Sequence, residues 1–166
     1  MNQIIRLFII PVLLVFLMLS SHPAAAVNKG SISSSELKSI IENSEAKVVL
    51  LNFWSTWCGP CRKEIPGLVE MRWDYSESDL KILGISLDYN PKTVEVFDKK
   101  LGINYPIYIA DQDVMEDFEV SAIPKIMVYK QGELVEVHEG YTPNRVLRSL
   151  IDDVLNNEPW VEKEAQ

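Results

Sequence analysis

Apolar and polar positions alternate along the chain in blocks that predict a strand–helix pattern. Residues 48–54 (VVLLNFW) and 80–87 (LKILGISL) are almost continuously apolar, which is typical of strands buried on both faces. Residues 125–130 and 133–138 flank a Gln-Gly turn and predict a β-hairpin. Residues 105–110 are expected to form another short strand.

Apolar residues spaced three or four positions apart predict helices between these strands. The first predicted helix follows a cap at one of the serines of residues 33–35, and Pro66 is expected to kink the second. The helices after the first are predicted at about residues 58–73, 91–102, 111–118 and 143–156. Strands alternating with helices and ending in a hairpin predict an α/β sandwich, a mixed central sheet flanked by helices.

The first 26 residues differ from the rest of the chain. Arg6 is their only charged side chain, residues 7–19 are apolar apart from one proline, and a run of alanines ends at Ala26. This order predicts a secretory signal peptide, residues 1–26, that is cleaved after Ala26. An uncleaved membrane anchor is the alternative, although the apolar run is shorter than the roughly 20 residues of a spanning helix.

Composition and charge are those of one acidic globular domain. The chain has 166 residues, of which 47% are hydrophobic and 24% charged, and its formal net charge is −8. An acidic surface repels phosphate, so nucleic-acid binding is not expected. We expect residues 27–156 to form one domain, residues 157–166 to form a polar C-terminal tail, and the protein to be a monomer.

The chain has two cysteines, Cys58 and Cys61, in the sequence WCGPC between a predicted strand and a predicted helix. A structural disulfide is one interpretation, but closing so short a loop contributes only about 2 kcal/mol in the chain-entropy model. A zinc site is another, but it needs about four ligands, and His138 is the only other strong candidate after removal of the signal peptide. No metal or cofactor is therefore expected.

The start of a helix instead favours a reactive thiol. Free backbone N–H groups and the helix dipole stabilise a thiolate there, and lowering a thiol pKa from about 8.5 to about 7 needs about 2 kcal/mol. Cys58, nearer the helix start, is predicted to attack a partner disulfide and form a mixed disulfide. Cys61, three residues later on the same helical face, is predicted to attack Cys58 and release the reduced partner.

With these motifs the chain resembles the thioredoxin superfamily, and within it the exported TlpA/ResA/CcmG-like thiol–disulfide oxidoreductases. The string VVLLNFWSTWCGPCRKEIP (residues 48–66) carries the resemblance most specifically, and VSAIP (residues 120–124) before the hairpin is the second match. The resemblance covers about residues 32–155. It implies a thioredoxin-like sandwich in which residues 80–118 contain the strand–helix insertion of the exported branch.

The resemblance also implies a redox-active Cys58–Cys61 disulfide beside a substrate groove. Pro124 is expected to follow a cis peptide bond and to face the cysteines. The backbone of Ile123 is expected to pair with an extended substrate segment. The other side of the groove is expected to consist of Trp57, Gly59 and Pro60.

Three polar residues near these motifs have open roles. Asn52 stands where cytoplasmic thioredoxins place a buried Asp that assists proton transfer, so that task is lost or moved. Glu64, three residues after Cys61, either handles the proton of Cys61 or is a solvated helix residue, which we favour. Lys125 either lies beside the cysteines and lowers a thiol pKa or points to solvent, which we favour.

The expected function is reduction of protein disulfides outside the cytoplasm, because the Gly-Pro pair between the cysteines is that of thioredoxin, whose couple lies at about −270 mV. The resemblance implies a location in the periplasm or on the outer face of the cytoplasmic membrane. It also implies substrates such as apocytochrome c and a membrane thiol electron donor of the DsbD/CcdA type. A disulfide oxidase or isomerase is one alternative, and a non-catalytic binding module on a thioredoxin fold is another.

Overall fold

A computed structural model describes residues 28–156, which form one six-stranded sheet with helices on both faces. The predicted signal peptide (residues 1–26) and the predicted tail (residues 157–166) lie outside the described residues. Within the described part, no helix has the length and apolar character needed to cross a membrane.

The described elements alternate as the sequence predicts. The strands are β1 (Asn28–Ile32), β2 (Val48–Trp54), β3 (Leu80–Ser86), β4 (Ile107–Ala110), β5 (Lys125–Lys130) and β6 (Glu133–Glu139). The helices are α1 (Ser34–Glu42), α2 (Gly59–Asp74), α3 (Pro91–Leu101), α4 (Gln112–Asp117) and α5 (Asn144–Leu155). Pro66, at which a kink was expected, lies inside α2 without ending it.

Strand β1 is an element that the sequence analysis did not predict. Its sequence is NKGSI, and only Ile32 is buried, so it lacks the apolar run that identifies the other strands. Parallel pairing with β4 places it in the sheet. Backbone hydrogen bonding, rather than burial of its own side chains, therefore makes this segment a strand.

The strands follow the order β1-β4-β3-β2-β5-β6. Strands β1, β4, β3 and β2 pair in parallel, whereas β5 and β6 pair antiparallel, which confirms the predicted mixed sheet. Trp54 at the end of β2 lies beside Ser86 at the end of β3. The loops that follow these two parallel strands therefore leave the sheet at the same edge.

Strand β2 is the centre of the core, because every one of its residues is buried. Alternate side chains point to opposite faces. Val48, Leu50 and Trp54 pack with helices α2, α3 and α5, whereas Leu51 and Phe53 pack with α1 and α4. Two apolar layers thus hold β2 in place, and β2 leads directly into the segment that contains the cysteines.

We predict that Leu50→Ala destabilises the protein by about 2–5 kcal/mol, because it leaves a cavity where the side chain is fully buried. Leu134→Ala makes the same change at a half-exposed position of the edge strand β6 and is expected to cost less than about 1 kcal/mol. Urea denaturation of both oxidised variants measures the two free energies of unfolding. Equal losses would contradict the central position of β2.

Candidate active site

Cys58 and Cys61 lie at the start of α2 and are joined in a disulfide, with their Cα atoms 5.3 Å apart. Cys58 is the N-cap residue, and its Sγ accepts the backbone N–H of Cys61 at 3.2 Å. Pro60 occupies the first turn, where no N–H donor is needed. The sulfur of Cys58 therefore takes the place of the oxygen that usually caps a helix, at the positive end of the helix dipole.

The segment VSAIP (residues 120–124), the second match of the sequence, lies against the cysteines. The Ile123–Pro124 peptide bond is cis, and the carbonyl oxygen of Ile123 lies 3.8 Å from Sγ of Cys58. Both cysteines are largely covered, at 5% exposed for Cys58 and 1% for Cys61. The more accessible cysteine is thus the one whose sulfur faces the segment before Pro124.

The residues around the disulfide differ in accessibility. Trp57 is 69% exposed, Pro60 is exposed, and Gly59 is half-buried. These three residues surround the cysteines along the chain, and their assignment to one wall of a substrate groove stays a prediction.

Asp88 supports the loop before Cys58. Its carboxylate accepts the backbone N–H of Thr56 at 2.8 Å and the Thr56 hydroxyl at 2.7 Å. It also accepts the hydroxyl of Ser86 at 2.8 Å. Asp88 was not predicted as a site residue, although its position in the sequence carries a signal. It lies two residues after the end of β3, as Thr56 lies two residues after the end of β2, and these parallel neighbours end at one edge of the sheet.

Glu64 is buried, at 2% exposed, so the favoured expectation of a solvated position is wrong. Its Oε1 accepts the backbone N–H of Thr142 at 2.9 Å. The loop that contains Thr142 also donates the N–H of Gly140 to the carbonyl oxygen of Pro124 at 2.8 Å. Glu64 faces inward because this loop between β6 and α5 closes over its side of α2.

The surroundings of Glu64 favour its neutral form. Burial raises the pKa of the carboxyl from 4.5 to about 7, and the hydrogen bond from Thr142 opposes this rise only in part. Oε2 has no hydrogen-bond partner among the described residues. Because Glu64 follows Cys61 by three residues on one helix, a group that exchanges protons near neutral pH lies next to the second cysteine.

Asn52 is fully buried in β2, on the face that packs against α2. Tyr105 belongs to the same buried layer as Cys61. Burial raises the pKa of the Tyr105 hydroxyl, and the nearby Glu64 carboxylate raises it further. Asn52 and Tyr105 thus remain uncharged near neutral pH, whereas the carboxyl of Glu64 exchanges a proton there.

Lys125 does not point to solvent, so that expectation is also wrong. The side chain is buried, and its Nζ donates to the carbonyl oxygen of Glu119 at 2.7 Å and pairs with Glu139 at 3.4 Å. Glu119 follows α4, where carbonyl groups form the negative end of the helix dipole. Lys125 therefore ties the start of β5 to the segment between α4 and Pro124 and to β6.

Comparison with known proteins identifies a family model and relatives that match most of the described residues. The AhpC/TSA family model matches residues 20–138. ResA, a thiol-disulfide oxidoreductase of Bacillus subtilis, is 29% identical over 118 residues, which are 70% of this chain and 64% of that protein. The match thus spans slightly less than two thirds of this relative. Thioredoxin of Staphylococcus haemolyticus is 33% identical over 111 residues, which are 67% of this chain and 86% of thioredoxin.

Solved structures show the same fold. A thiol:disulfide interchange protein of the thioredoxin family from Chlorobium tepidum superimposes with a TM-score of 0.63 at 24% identity, and covers 68% of this chain and 81% of that one. The predicted thioredoxin-like fold is therefore confirmed. The resemblance to thiol–disulfide oxidoreductases is also confirmed, because relatives from two bacteria are named thiol-disulfide oxidoreductase ResA.

We predict that Glu64→Gln removes a pH-dependent part of the stability of the oxidised protein. A carboxyl whose pKa is higher in the folded than in the unfolded state stabilises the fold below about pH 4.5, and this stability is lost as the pH rises through about 7. The shift from 4.5 to about 7 corresponds to about 3 kcal/mol. Denaturant titrations between about pH 4 and pH 9 measure the free energy of unfolding. We expect it to fall with rising pH in the wild type and to lack this fall in the variant.

Glu70→Gln is the matched control for this experiment, because Glu70 is an exposed residue of the same helix. It is expected to keep the wild-type pH profile. A Glu64→Gln profile that runs parallel to the wild type would contradict the raised pKa.

Proposed function

Since the chain belongs to the AhpC/TSA family, we propose that it is an extracytoplasmic thiol–disulfide oxidoreductase that reduces protein disulfides. One observation carries this proposal: the Cys58–Cys61 disulfide lies at the start of α2, with Sγ of Cys58 next to the carbonyl oxygen of Ile123. A disulfide that closes so small a ring contributes little to stability. Its position suits exchange with another disulfide.

In the first proposed step the reduced protein binds an extended partner segment along the backbone of Ile123, beside Pro124. The Cys58 thiolate attacks one sulfur of the partner disulfide. A Cys58–partner S–S bond forms, the partner S–S bond breaks, and the departing partner sulfur takes up a proton. The N–H of Cys61 that caps Sγ in the oxidised form is available to stabilise the thiolate.

In the second proposed step Cys61 loses its proton to the Glu64 carboxylate and attacks Sγ of Cys58. The Cys58–Cys61 disulfide forms, the Cys58–partner S–S bond breaks, and the second partner sulfur leaves with the proton that Glu64 returns, the first having taken its proton from solvent. The partner has then gained two electrons and two protons, and the protein has returned to its oxidised form. A carboxyl with a pKa of about 7 is suited to this transfer, since it accepts and returns a proton near neutral pH. It would take over the task that Asn52 cannot perform.

The cycle needs a thiol donor to reduce Cys58–Cys61 again. We propose a membrane thiol carrier of the DsbD/CcdA type, in the periplasm or at the outer face of the cytoplasmic membrane, and protein substrates such as apocytochrome c. The apolar residues near the N-terminus support export, and the resemblance to the exported branch supports this choice of partners.

The direction of the reaction is tested by the redox potential. We predict a value below about −220 mV for the Cys58–Cys61 couple when the protein of residues 27–166 is equilibrated with thiol–disulfide buffers. Alkylation of the free thiols followed by mass spectrometry measures the reduced fraction. A value near −120 mV would identify an oxidase instead, and a protein without any redox response would be left with a binding role.

The order of attack is tested by two serine variants. Cys61→Ser is expected to accumulate mixed disulfides with partner proteins, because Cys58 still attacks but nothing releases the partner. Cys58→Ser is expected to accumulate few, because the remaining Cys61 is almost completely covered. Non-reducing electrophoresis after expression in an exporting host compares the two, and equal trapping would refute the assigned roles.

A further inference from the structure

A basic groove lies next to the disulfide, between the start of α2 and the outer face of α3. Its volume is about 570 Å³. Its lining includes Thr56, Arg62, Lys92, Val96, Phe97 and Lys100. We propose that this groove binds an acidic segment that flanks the disulfide of a partner protein, an inference that rests on the proposed function and specifies its substrate class.

The charge of the groove is opposite to that of the whole protein. The chain carries a formal net charge of −8, yet Arg62, Lys92 and Lys100 line the groove and no acidic side chain does. Three cations in one concavity make a local positive field on an otherwise acidic surface. Such a field attracts anionic groups and repels the cationic segments that the rest of the protein would attract.

None of the three cations forms an ion pair with a carboxylate of the described residues, and the one carboxylate interaction recorded for them is a longer-range one between Lys92 and Glu95. Other basic residues have carboxylate partners, for example Lys47 with Asp79 at 2.8 Å and Lys99 with Glu95 at 2.7 Å. Among residues 28–156, no ion pair joins Arg62, Lys92 or Lys100 to a carboxylate. Their charges are therefore available to a partner.

The acidic residues nearest to the groove along the chain are occupied elsewhere. Asp88 is buried and accepts hydrogen bonds from Thr56 and Ser86. Glu95 pairs with Lys99, and Asp98 accepts the backbone N–H of Ile103. None of these carboxylates lines the groove, so an acidic segment inside the groove contacts no carboxylate of its lining.

The groove begins within one helical turn of the reactive sulfur. The backbone N–H of Arg62 donates to the carbonyl oxygen of Cys58 at 3.2 Å, and Thr56 precedes Cys58 by two residues. Val96 is 70% exposed and offers an apolar contact beside Lys92 and Lys100, the two lysines of its helix that line the groove. A segment that flanks the attacked disulfide can therefore reach the groove, which favours the substrate protein as its occupant.

Two synthetic peptides test the proposal. Each contains the same intramolecular disulfide, flanked on both sides by three Glu residues in the acidic peptide and by three Gln residues in the neutral one. Stopped-flow measurements give the second-order rate constant for reduction of each by the reduced protein. We expect the acidic peptide to react about tenfold faster at about 0.01 M ionic strength and less than about twofold faster at about 1 M, because salt screens the field.

Variants locate the effect in the groove. Lys92→Gln/Lys100→Gln is expected to lower the acidic-to-neutral rate ratio from about tenfold to about twofold or less. Lys29→Gln/Lys47→Gln removes the same charge from two exposed lysines outside the groove and is expected to retain most of the preference. An equal loss in both double variants would show an effect of overall charge and would overturn the proposal.

The outcomes also separate this inference from the function on which it rests. If the wild-type protein reduces both peptides at equal rates at low salt, or prefers the neutral peptide as its net charge alone would dictate, the groove proposal is overturned and the reductase stands. If it reduces neither peptide, both proposals are overturned.

Discussion

The candidate active site depends on one contact at the start of α2, where the N–H of Cys61 donates to Sγ of Cys58. This contact requires the chain to leave β2 in an extended conformation and enter the helix within a few residues. Burial of β2 on both faces holds one end of that segment, and the hydrogen bonds of Thr56 to Asp88 hold the loop itself. The reactive sulfur is thus positioned by rigid elements rather than by a free loop.

Glu64 connects the helix of the cysteines with the segment that faces them. It accepts the N–H of Thr142, from the loop whose Gly140 N–H donates to the carbonyl oxygen of Pro124. A buried carboxyl with an unpartnered oxygen destabilises a fold when it ionises. Such a group is typical of functional sites, where a raised pKa serves proton transfer, and its place behind Cys61 agrees with that use.

Most elements of the fold could be predicted from local pattern, because apolar runs and helical stripes record burial directly. Strand β1 could not, since pairing with β4 rather than its own side chains makes it a strand. The wrong expectations for Glu64 and Lys125 have a related cause. Both are charged residues that would ordinarily be solvated, and both are covered by segments distant in sequence.

The sequence by itself determined the alternation of strands and helices, the pair Cys58 and Cys61 at a helix start, and the place of Pro124 before the hairpin. These features follow from short-range chemistry: hydrophobic period, turn residues and the spacing of two thiols. Only the tertiary structure decided that Glu64 and Lys125 are buried and that the cations of two helices form one groove, whereas the place of Pro124 beside the cysteines is already implied by the resemblance. These outcomes depend on which distant segments meet, and that is set by how the sheet and its helices pack as a whole.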